Sequence, residues 1–332
     1  MRILIATGIY PPDIGGPAIY AEGLYNAFSS MGHKGVVVSY GWKRKLPTGA
    51  RHIAYFFEVC RHIWSADVVI VLDTYSAAVP AIFAAKLFGR KAIIRVGGDF
   101  LWESYVERTK EKIFLSDFYR ENLGLSLKEN IIFYLTRLVL QSANAVAFST
   151  EWQADIFKKA YGLQKEKIYL IENHFGGKKT GEIPADKNFL WAGRQIALKN
   201  ITALKKAFSL AHRENKDLKL DIKSDLPHEK LLSLVKKCYA VILPSYSEVS
   251  PNFILDAISF GKPFIMTKDG GYSGKLGGLG LFVDPFNPED IKEKILFLAE
   301  PDNYRECVNE TLHFDFRHSY EEIAEEFLKL VK

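Results

Sequence analysis

The chain has 332 residues, of which 48% are hydrophobic and 25% are charged, a composition typical of a soluble globular protein. That length exceeds what one hydrophobic core usually supports, so it predicts two domains. The net charge of +5 is compatible with anionic substrates or a membrane surface, but it is too small to indicate nucleic-acid binding. Cys60, Cys238 and Cys307 lie far apart in the sequence and indicate reduced thiols in a cytoplasmic protein, not a disulfide framework or a metal site. The apolar start is too short for a signal peptide, and no stretch reaches the length of a membrane span.

The first half of the chain alternates predicted strands with predicted helices. A strand at 1–6 is followed by a loop with Gly15 and Gly16, a helix at 18–31 and a strand at 36–39. This order opens a doubly wound parallel sheet. The two glycines let a ligand approach the backbone, but the loop does not match G-x-G-x-x-G, which disfavours a nicotinamide enzyme. Further predicted strands lie at 67–72, 91–96, 145–148 and 168–171, and further helices at 76–88 and 131–141.

Gly97, Gly98 and Asp99 follow the predicted strand 91–96. Ligands of open α/β sheets bind at the carboxyl ends of strands, so Asp99 is a candidate site residue. A simple capping role for Asp99 is the equally weighted alternative. The next segment, 101–130, mixes aromatic and basic residues, and it either covers an acceptor, rests on a membrane surface or forms a packed helical insertion. The packed insertion is the favoured interpretation.

A loop-like stretch at 172–188 is the predicted domain boundary. We expect a first domain at 1–175, a linker at 176–188 and a second domain at 189–316, with a C-terminal helix at about 317–332 that can pack back on the first domain. The second domain is predicted to contain strands at 189–192, 218–222, 240–243 and 264–267 and helices at 201–214, 228–237 and 288–298. Two doubly wound halves leave a cleft between them, which is the default place for a site.

The stretch 245–263, SYSEVSPNFILDAISFGKP, places two acids at the start of a helix. Ser250 is the predicted N-cap and Gly261 the left-handed stop. Glu248 precedes this helix and Asp256 lies within it. A phosphorylated ligand would meet backbone N–H donors there, and its hydroxyls would meet carboxylates. The alternative is a capped helix with a glutamate near its dipole.

Five sequence features in order along nearly the whole chain resemble a known family. They are the glycine loop YPPDIGGPAIYAEGL, the segment IENHF with Asn173, the Gly193–Arg194…Lys199 element, the Glu248…Asp256 element and the GKP that follows it. Together they resemble the retaining glycosyltransferases of family GT4. That resemblance implies the GT-B fold, in which two Rossmann-like doubly wound domains face each other across a cleft, and a nucleotide-sugar donor.

The resemblance also implies roles for individual residues. Arg194 and Lys199 would hold the donor diphosphate, Glu248 would contact the donor sugar, and Asp256 would bind the ribose hydroxyls. The amides of Asn252 and Phe253 would face the donor sugar or its phosphates, Gly16 would lie near the diphosphate, and the donor-binding set is completed by Gly15, Asn173, Gly193 and Ser250. The chemistry of the reaction independently supports this role for the two cations, because negative charge gathers on the leaving phosphate as the glycosidic bond breaks. The alternative for them is solvated charge on a loop and a helix start.

Three departures from the family pattern matter. The second acid is Asp256 where the family usually has glutamate, so its carboxylate is one methylene shorter. The family's histidine after the strand 91–96 is absent, and Asp99 is the candidate replacement, ahead of Glu103. The region between Ile222 and Val241 is shorter than usual, which leaves the donor base and sugar open.

The chain contains no D-x-D motif and no His/Cys cluster with metal spacing, so we expect neither metal nor cofactor. A glycosidase-like carboxylate pair is disfavoured because Glu248 and Asp256 lie beside presumed phosphate ligands. The prediction is a metal-independent hexosyltransferase moving a sugar from a UDP- or GDP-sugar to a glycan or lipid-linked acceptor, in cell-surface polysaccharide or lipopolysaccharide synthesis. We expect it to be cytoplasmic, compatible with peripheral association on the inner face of the plasma membrane, and not to bind nucleic acid. A nucleotide-sugar epimerase of the same fold and a degenerate nucleotide-sugar-binding protein are the alternatives.

Overall fold

The computed structural model describes residues 1–121 and 123–331. They form two compact units. The first unit comprises Met1–Ser104 together with 123–174 and 318–331, and the second comprises Tyr105–Glu121 together with Phe175–Arg317.

The strands of the first unit form a six-stranded parallel sheet within the described residues, in the order β2-β1-β3-β4-β5-β6. These strands are β1 (Arg2–Ala6), β2 (Lys34–Val38), β3 (Val68–Val71), β4 (Lys91–Val96), β5 (Ala145–Phe148) and β6 (Ile168–Leu170). The sheet's central strands are short runs of fully buried apolar residues, as expected when helices cover both faces. Because all six run parallel, their carboxyl ends share one edge of the sheet, where residues such as Gly97 and Ser149 lie.

The second unit has a five-stranded parallel sheet within the described residues, in the order β11-β10-β9-β7-β8. Its strands are β7 (Lys187–Ala192), β8 (Leu218–Lys223), β9 (Ala240–Leu243), β10 (Phe264–Thr267) and β11 (Leu281–Val283). Trp191 on β7 is fully buried in the core of this unit. The loops at the carboxyl ends of β7 and β9 contain Arg194, Lys199 and Glu248.

The helices follow the strands in alternation, as the sequence pattern predicts. In chain order they are α1 (Gly16–Ser30), α2 (Thr48–Ile63), α3 (Ala78–Leu87), α4 (Phe100–Thr109), α5 (Leu115–Phe118), α6 (Leu127–Ser142), α7 (Glu151–Tyr161), α8 (Ile201–Glu214), α9 (His228–Lys237), α10 (Asn252–Ser259), α11 (Pro288–Ala299), α12 (Pro301–Leu312) and α13 (Tyr320–Val331). Short 3-10 helices lie at Gly41–Lys45, Lys165–Lys167 and Ala197–Lys199.

The C-terminal helix α13 packs against α1 of the first unit. It buries Ile323 and Phe327 completely, and burial of each such side chain stabilises the fold by about 1.5–3 kcal/mol. Close packing of the two helices depends on Gly23, because a β-carbon there would lie 2.3 Å from the ring of Tyr320. The helix is therefore an integral part of the first unit.

The units differ from the predicted domain limits in two places. The segment Tyr105–Glu121 belongs to the second unit, although the sequence places it in the first domain. The predicted linker 176–188 lies in the second unit as well, because its backbone and neighbouring lysines are hydrogen-bonded to α9 and α10. The N–H of Lys179 donates to the carbonyl of Ser259 at 2.6 Å, and Lys262 Nζ donates to the carbonyl of Glu182 at 2.5 Å.

Candidate functional site

Glu248 lies in the loop that joins β9 to α10. Its side chain is largely buried, although the residue is charged. The backbone of Glu248 is fixed on both sides, because its N–H donates to the carbonyl of Asp269 at 3.0 Å and its carbonyl accepts from the N–H of Gly271 at 3.0 Å. A β-carbon on Gly270 would lie 2.5 Å from the carbonyl oxygen of Glu248, so only glycine permits this approach. The loop after β10 thus holds Glu248 in place.

Lys199 forms an ion pair with Glu248 Oε1 through its Nζ. Its side chain is 18% exposed and that of Glu248 is 10% exposed, so the pair is largely shielded from solvent. The two residues are 49 positions apart in sequence. The structure therefore brings together two residues that the sequence only predicts to serve one site.

Asn200 fixes the position of Lys199, and the sequence analysis gives it no role. Its backbone is left-handed, with φ of 54°, a conformation that asparagine adopts more readily than most residues. Its side-chain amide donates to the carbonyls of Pro244 at 3.0 Å and Pro285 at 2.6 Å. The N–H of Tyr246 also donates to the carbonyl of Leu198 at 2.8 Å. These bonds tie the Lys199 loop to the Glu248 loop.

Arg194 follows β7 directly after Gly193, and its side chain is exposed. The N–H of Gly193 donates to the carbonyl of Lys223 at 3.1 Å, which extends the ladder between β7 and β8 by one bond. A β-carbon on Gly193 would meet nothing nearer than 3.5 Å, so packing within this unit does not require glycine there. Arg194 and Lys199 thus lie in the same connection between β7 and α8.

The start of α10 differs from the prediction. The N-cap is Pro251 and not Ser250, and no side chain makes a cap hydrogen bond. Proline has no side-chain acceptor, so it cannot bond the first amides of the helix as serine would. Gly261 does adopt the predicted left-handed conformation after the helix, with φ of 63°. Phe253 is buried and Asn252 is exposed at the first turn.

Asp256 is hydrogen-bonded to His228, a residue that the sequence reasoning missed. Asp256 Oδ2 lies 3.1 Å from His228 Nε2, and the Asp256 side chain is 18% exposed. His228 is the first residue of α9, and the two helices pack against each other. The imidazole fixes one carboxylate oxygen and leaves Oδ1 without a hydrogen-bond partner among the described residues. No feature of the sequence indicates that α9 packs against α10, so the sequence alone does not identify this pair.

The segment Tyr105–Glu121 contacts the Glu248 loop through Ser247. Ser247 Oγ accepts from the N–H of Leu115 at 2.8 Å and donates to Asp269 Oδ2 at 2.5 Å. Burial raises the pKa of Asp269, against the opposing hydrogen bonds from Ser247 and Ser116. This polar contact anchors α5 beside Glu248 and agrees with a packed helical insertion.

The same segment contacts the Lys199 loop through Glu107. Glu107 Oε2 accepts from the N–H of Ala197 at 2.8 Å, at the start of the 3-10 helix that ends in Lys199. The hydrogen bond from Lys110, at 2.5 Å, is the main cause that lowers the pKa of Glu107, and the Ala197 amide adds to it. Both site loops of the second unit are therefore held by a segment that lies much earlier in the chain.

In the first unit, α1 begins two residues earlier than predicted, so Gly15 is its N-cap and Gly16 its first residue. Gly15 has φ of 147°, a conformation that favours glycine, and its carbonyl accepts from the N–H groups of Ala18 and Ile19. Pro17 occupies the first turn of the helix, where its missing N–H is not needed. Gly16 is exposed, so its backbone is accessible.

Asp99 and Asn173 are both buried in the first unit. Asp99 Oδ1 accepts from the N–H of Trp102 at 2.9 Å, the contact of an N-cap on α4. This is the capping alternative considered for Asp99, and a catalytic role for it stays a prediction. Asn173 Oδ1 accepts from Nη2 of Arg95, a residue on β4 that the sequence analysis does not single out.

Within 1–121 and 123–331, no group of three or more His, Cys, Asp or Glu side chains is placed to hold a metal ion. In the same residues no helix combines the length and apolar character needed to cross a membrane. All three cysteines are free, and burial raises the pKa of the Cys238 thiol to about 12.

Comparison with known proteins shows similarity to glycosyltransferases. Residues 204–311 match the family described as "Glycosyl transferases group 1". An uncharacterized glycosyltransferase of Methanocaldococcus jannaschii, MJ1178, is 22% identical over 342 residues, an alignment that covers 93% of this chain and 92% of the relative.

Solved structures resemble nearly the whole chain. Sucrose-phosphate synthase from Thermosynechococcus elongatus has a TM-score of 0.71 at 14% identity, covering 99% of this chain and 97% of its own. Anabaena HepE, solved in complex with UDP and glucose, has a TM-score of 0.71 at 14% identity, with 99% and 98% covered. WaaG, a glycosyltransferase involved in lipopolysaccharide biosynthesis, has a TM-score of 0.68 at 15% identity, with 100% of both chains covered.

These likenesses confirm that the chain has the GT-B fold. The match over 204–311, which includes Glu248 and Asp256, shows that this part of the chain is similar to the group 1 glycosyltransferases. The narrower assignment to GT4 stays a prediction, as do the residue roles.

Proposed function

We propose that this protein is a retaining glycosyltransferase that moves a sugar from a UDP- or GDP-sugar to a glycan or lipid-linked acceptor in cell-surface polysaccharide or lipopolysaccharide synthesis. The observation that carries the proposal is the largely buried ion pair of Lys199 and Glu248 at the carboxyl edge of the second sheet, ahead of α10. A buried pair of opposite charges is a weak source of stability, so its position in a ligand-binding loop favours a functional role.

In this proposal Arg194 and Lys199 hold the donor diphosphate. The exposed Arg194 offers a fork of N–H donors to phosphate oxygens, and Lys199 offers a point charge. Cations placed in advance stabilise the leaving phosphate more than the intact donor, because negative charge increases as the bond breaks. This neutralisation by side chains is the basis for proposing a metal-independent reaction.

Glu248 and Asp256 would bind the hydroxyls of the donor. Glu248 contacts the donor sugar once Lys199 turns toward the phosphate, and Asp256 contacts the ribose through Oδ1. The bond from His228 to Oδ2 orients the shorter carboxylate that stands in place of the family's glutamate. The amides of Asn252 and Phe253 face the sugar or its phosphates, because they lie in the first turn of α10, where backbone N–H groups point out of the helix.

The proposed reaction keeps the anomeric configuration of the sugar. The bond between the anomeric carbon and the phosphate oxygen breaks, a bond from the acceptor oxygen to the same face of that carbon forms, and the acceptor's proton passes to the leaving phosphate oxygen. No side chain is required as a proton acceptor in this scheme. For Gly15, Gly16, Gly193, Asn173 and Ser250 a part in donor binding stays a prediction.

The proposal is tested by measuring unfolding temperatures with a panel of UDP-, GDP- and ADP-sugars. A bound donor raises the unfolding temperature by mass action, and we expect one base to stand out. Arg194→Ala should abolish the rise, whereas Arg213→Ala, an exposed arginine in the last turn of α8, should retain it. An equal rise in Arg194→Ala and Arg213→Ala would contradict the assignment of the diphosphate site.

A nucleotide-sugar epimerase is the second candidate function, because such an enzyme also uses the two-domain fold. An epimerase would convert the donor without any acceptor and without releasing nucleoside diphosphate. Analysis of the donor by NMR after incubation with the protein separates the two functions, and epimerised donor would overturn the transferase proposal.

A further inference from the structure

Arg95 is a buried cation at the carboxyl end of β4 in the first unit. The residue is 7% exposed, and its Nη2 donates to Asn173 Oδ1. Its guanidinium carbon lies 4.1 Å from the centroid of the Tyr20 ring. The Nε atom is enclosed and has no hydrogen-bond partner among the described residues. The side chain is thus fixed by a neutral amide and an aromatic ring.

No carboxylate of the described residues forms an ion pair with Arg95. The nearby acid is Glu326 on α13, whose charge raises the pKa of Tyr20, although burial of that hydroxyl is the larger cause. Glu326 Oε1 instead lies 3.5 Å from His318 Nε2. A buried guanidinium without a directly paired carboxylate is costly, so its presence requires an explanation.

The guanidinium is directed at the turn that follows β4. A β-carbon on Gly97 would lie 2.9 Å from Arg95 Nη1, so the guanidinium takes the space that a side chain would fill. Gly97 and Gly98 are exposed, and the ten-residue helix α4 begins two residues later. Asp99 is the acid of this turn, and its Oδ1 is occupied by the N–H of Trp102.

We propose that Arg95 and the Gly97–Gly98 turn bind an oxyanion, and that this oxyanion is a phosphate group of the acceptor. A tetrahedral phosphate can take hydrogen bonds from a guanidinium and from glycine-turn amides at a helix start at the same time. The anion site follows from the geometry alone. Its assignment to the acceptor rests on the proposed function, in which Arg194 and Lys199 already hold the donor phosphates.

The anion site is tested with inorganic phosphate in a protein that carries Arg194→Ala and Lys199→Ala. In that background the proposed donor-phosphate site is disabled, and calorimetric titration at constant ionic strength reports the remaining phosphate binding. Gly97→Ala adds a methyl group that displaces Nη1, and it needs no backbone change because Gly97 has an ordinary φ. We expect it to weaken phosphate binding at least tenfold.

Gly49→Ala, in the first turn of α2, is the matched control, because a β-carbon there meets nothing within 4 Å and the residue is not part of the proposed site. It should change phosphate affinity less than twofold. Arg95→Gln, which keeps an amide beside Asn173, should lose phosphate binding as Gly97→Ala does. Equal phosphate affinity in all three variants, or no phosphate binding in the background protein, would overturn the anion site.

The acceptor assignment is tested by titrating UDP and GDP into the protein with Gly97→Ala alone. We expect Gly97→Ala to bind UDP and GDP as tightly as the unmutated protein does, although it binds inorganic phosphate more weakly. A tenfold loss of nucleotide affinity would assign the oxyanion to the donor and overturn the acceptor assignment. Failure of the unmutated protein to bind either nucleotide would instead contradict the proposed function and leave the anion site standing.

Discussion

The ion pair of Lys199 and Glu248 predicts a measurable coupling in the stability of the second unit. Removing one partner of a fully buried pair costs about 3–5 kcal/mol, because the other charge is left without compensation. The Lys199 side chain keeps 18% of its surface in solvent, which weakens the interaction. We therefore expect Lys199→Met to lower the free energy of unfolding by about 2 kcal/mol, with a coupling of about 1–2 kcal/mol between the two sites.

The assay is urea unfolding of the protein, the two single variants Lys199→Met and Glu248→Gln, and the double variant. Trp191 is fully buried in the second unit, so its fluorescence follows the unfolding of that core. Lys205→Met removes an exposed lysine of α8 and serves as the control. The coupling would be refuted if the loss of unfolding free energy in the double variant equalled the sum of the two single losses to within about 0.5 kcal/mol.

The same variants test catalysis. Loss of one prepositioned charge that stabilises the leaving group typically lowers kcat about 10²–10³-fold. Lys199→Met should show a loss of this size, and Lys205→Met should not. Full turnover in Lys199→Met would show that the pair is structural.

Three further predictions concern the residues that hold the pair. Gly270→Ala should lower activity strongly, because its β-carbon would displace the Glu248 backbone, whereas Gly274→Ala, with open space around it, should not. Asn200→Gly keeps the left-handed backbone but loses two hydrogen bonds to buried carbonyls, so urea unfolding should show a loss of about 1–3 kcal/mol. Burial raises the pKa of Asp269, so the stability linked to this group is present below its unfolded pKa and is lost as pH rises through the folded value. Compared with Asp269→Asn, the unmutated protein should therefore become progressively less stable from about pH 4 upward, and parallel pH–stability curves would contradict this.

Strand positions could be predicted closely where a strand is a short, fully buried apolar run. The predicted ranges 91–96, 145–148, 240–243 and 264–267 coincide with β4, β5, β9 and β10. The helices α2, α7 and α12 have no predicted counterpart. In α12 Thr311 is the one buried residue, so its pattern carries almost no apolar periodicity.

The site could be predicted in its residues but not in its contacts. Local motifs mark Arg194, Lys199, Glu248 and Asp256, because the first three lie in loops that follow strands and Asp256 lies in the helix that follows Glu248. The contact of Lys199 with Glu248 and that of His228 with Asp256 depend on how neighbouring elements pack, which no local pattern encodes. Arg95 was missed for the same reason. The sequence shows an arginine inside an apolar strand, but only the structure shows that no carboxylate of the described residues is paired with it.

The central claim is that this protein transfers a sugar from a nucleotide diphosphate with retention, using Arg194 and Lys199 at the phosphates. The most direct measurement is proton NMR of donor turnover with the panel of UDP-, GDP- and ADP-sugars, in which water serves as a slow acceptor. We expect release of nucleoside diphosphate and a sugar that first emerges with the donor's anomeric configuration, and loss of both in Arg194→Ala. Turnover that persists in Arg194→Ala, or a first product of opposite configuration, would contradict it.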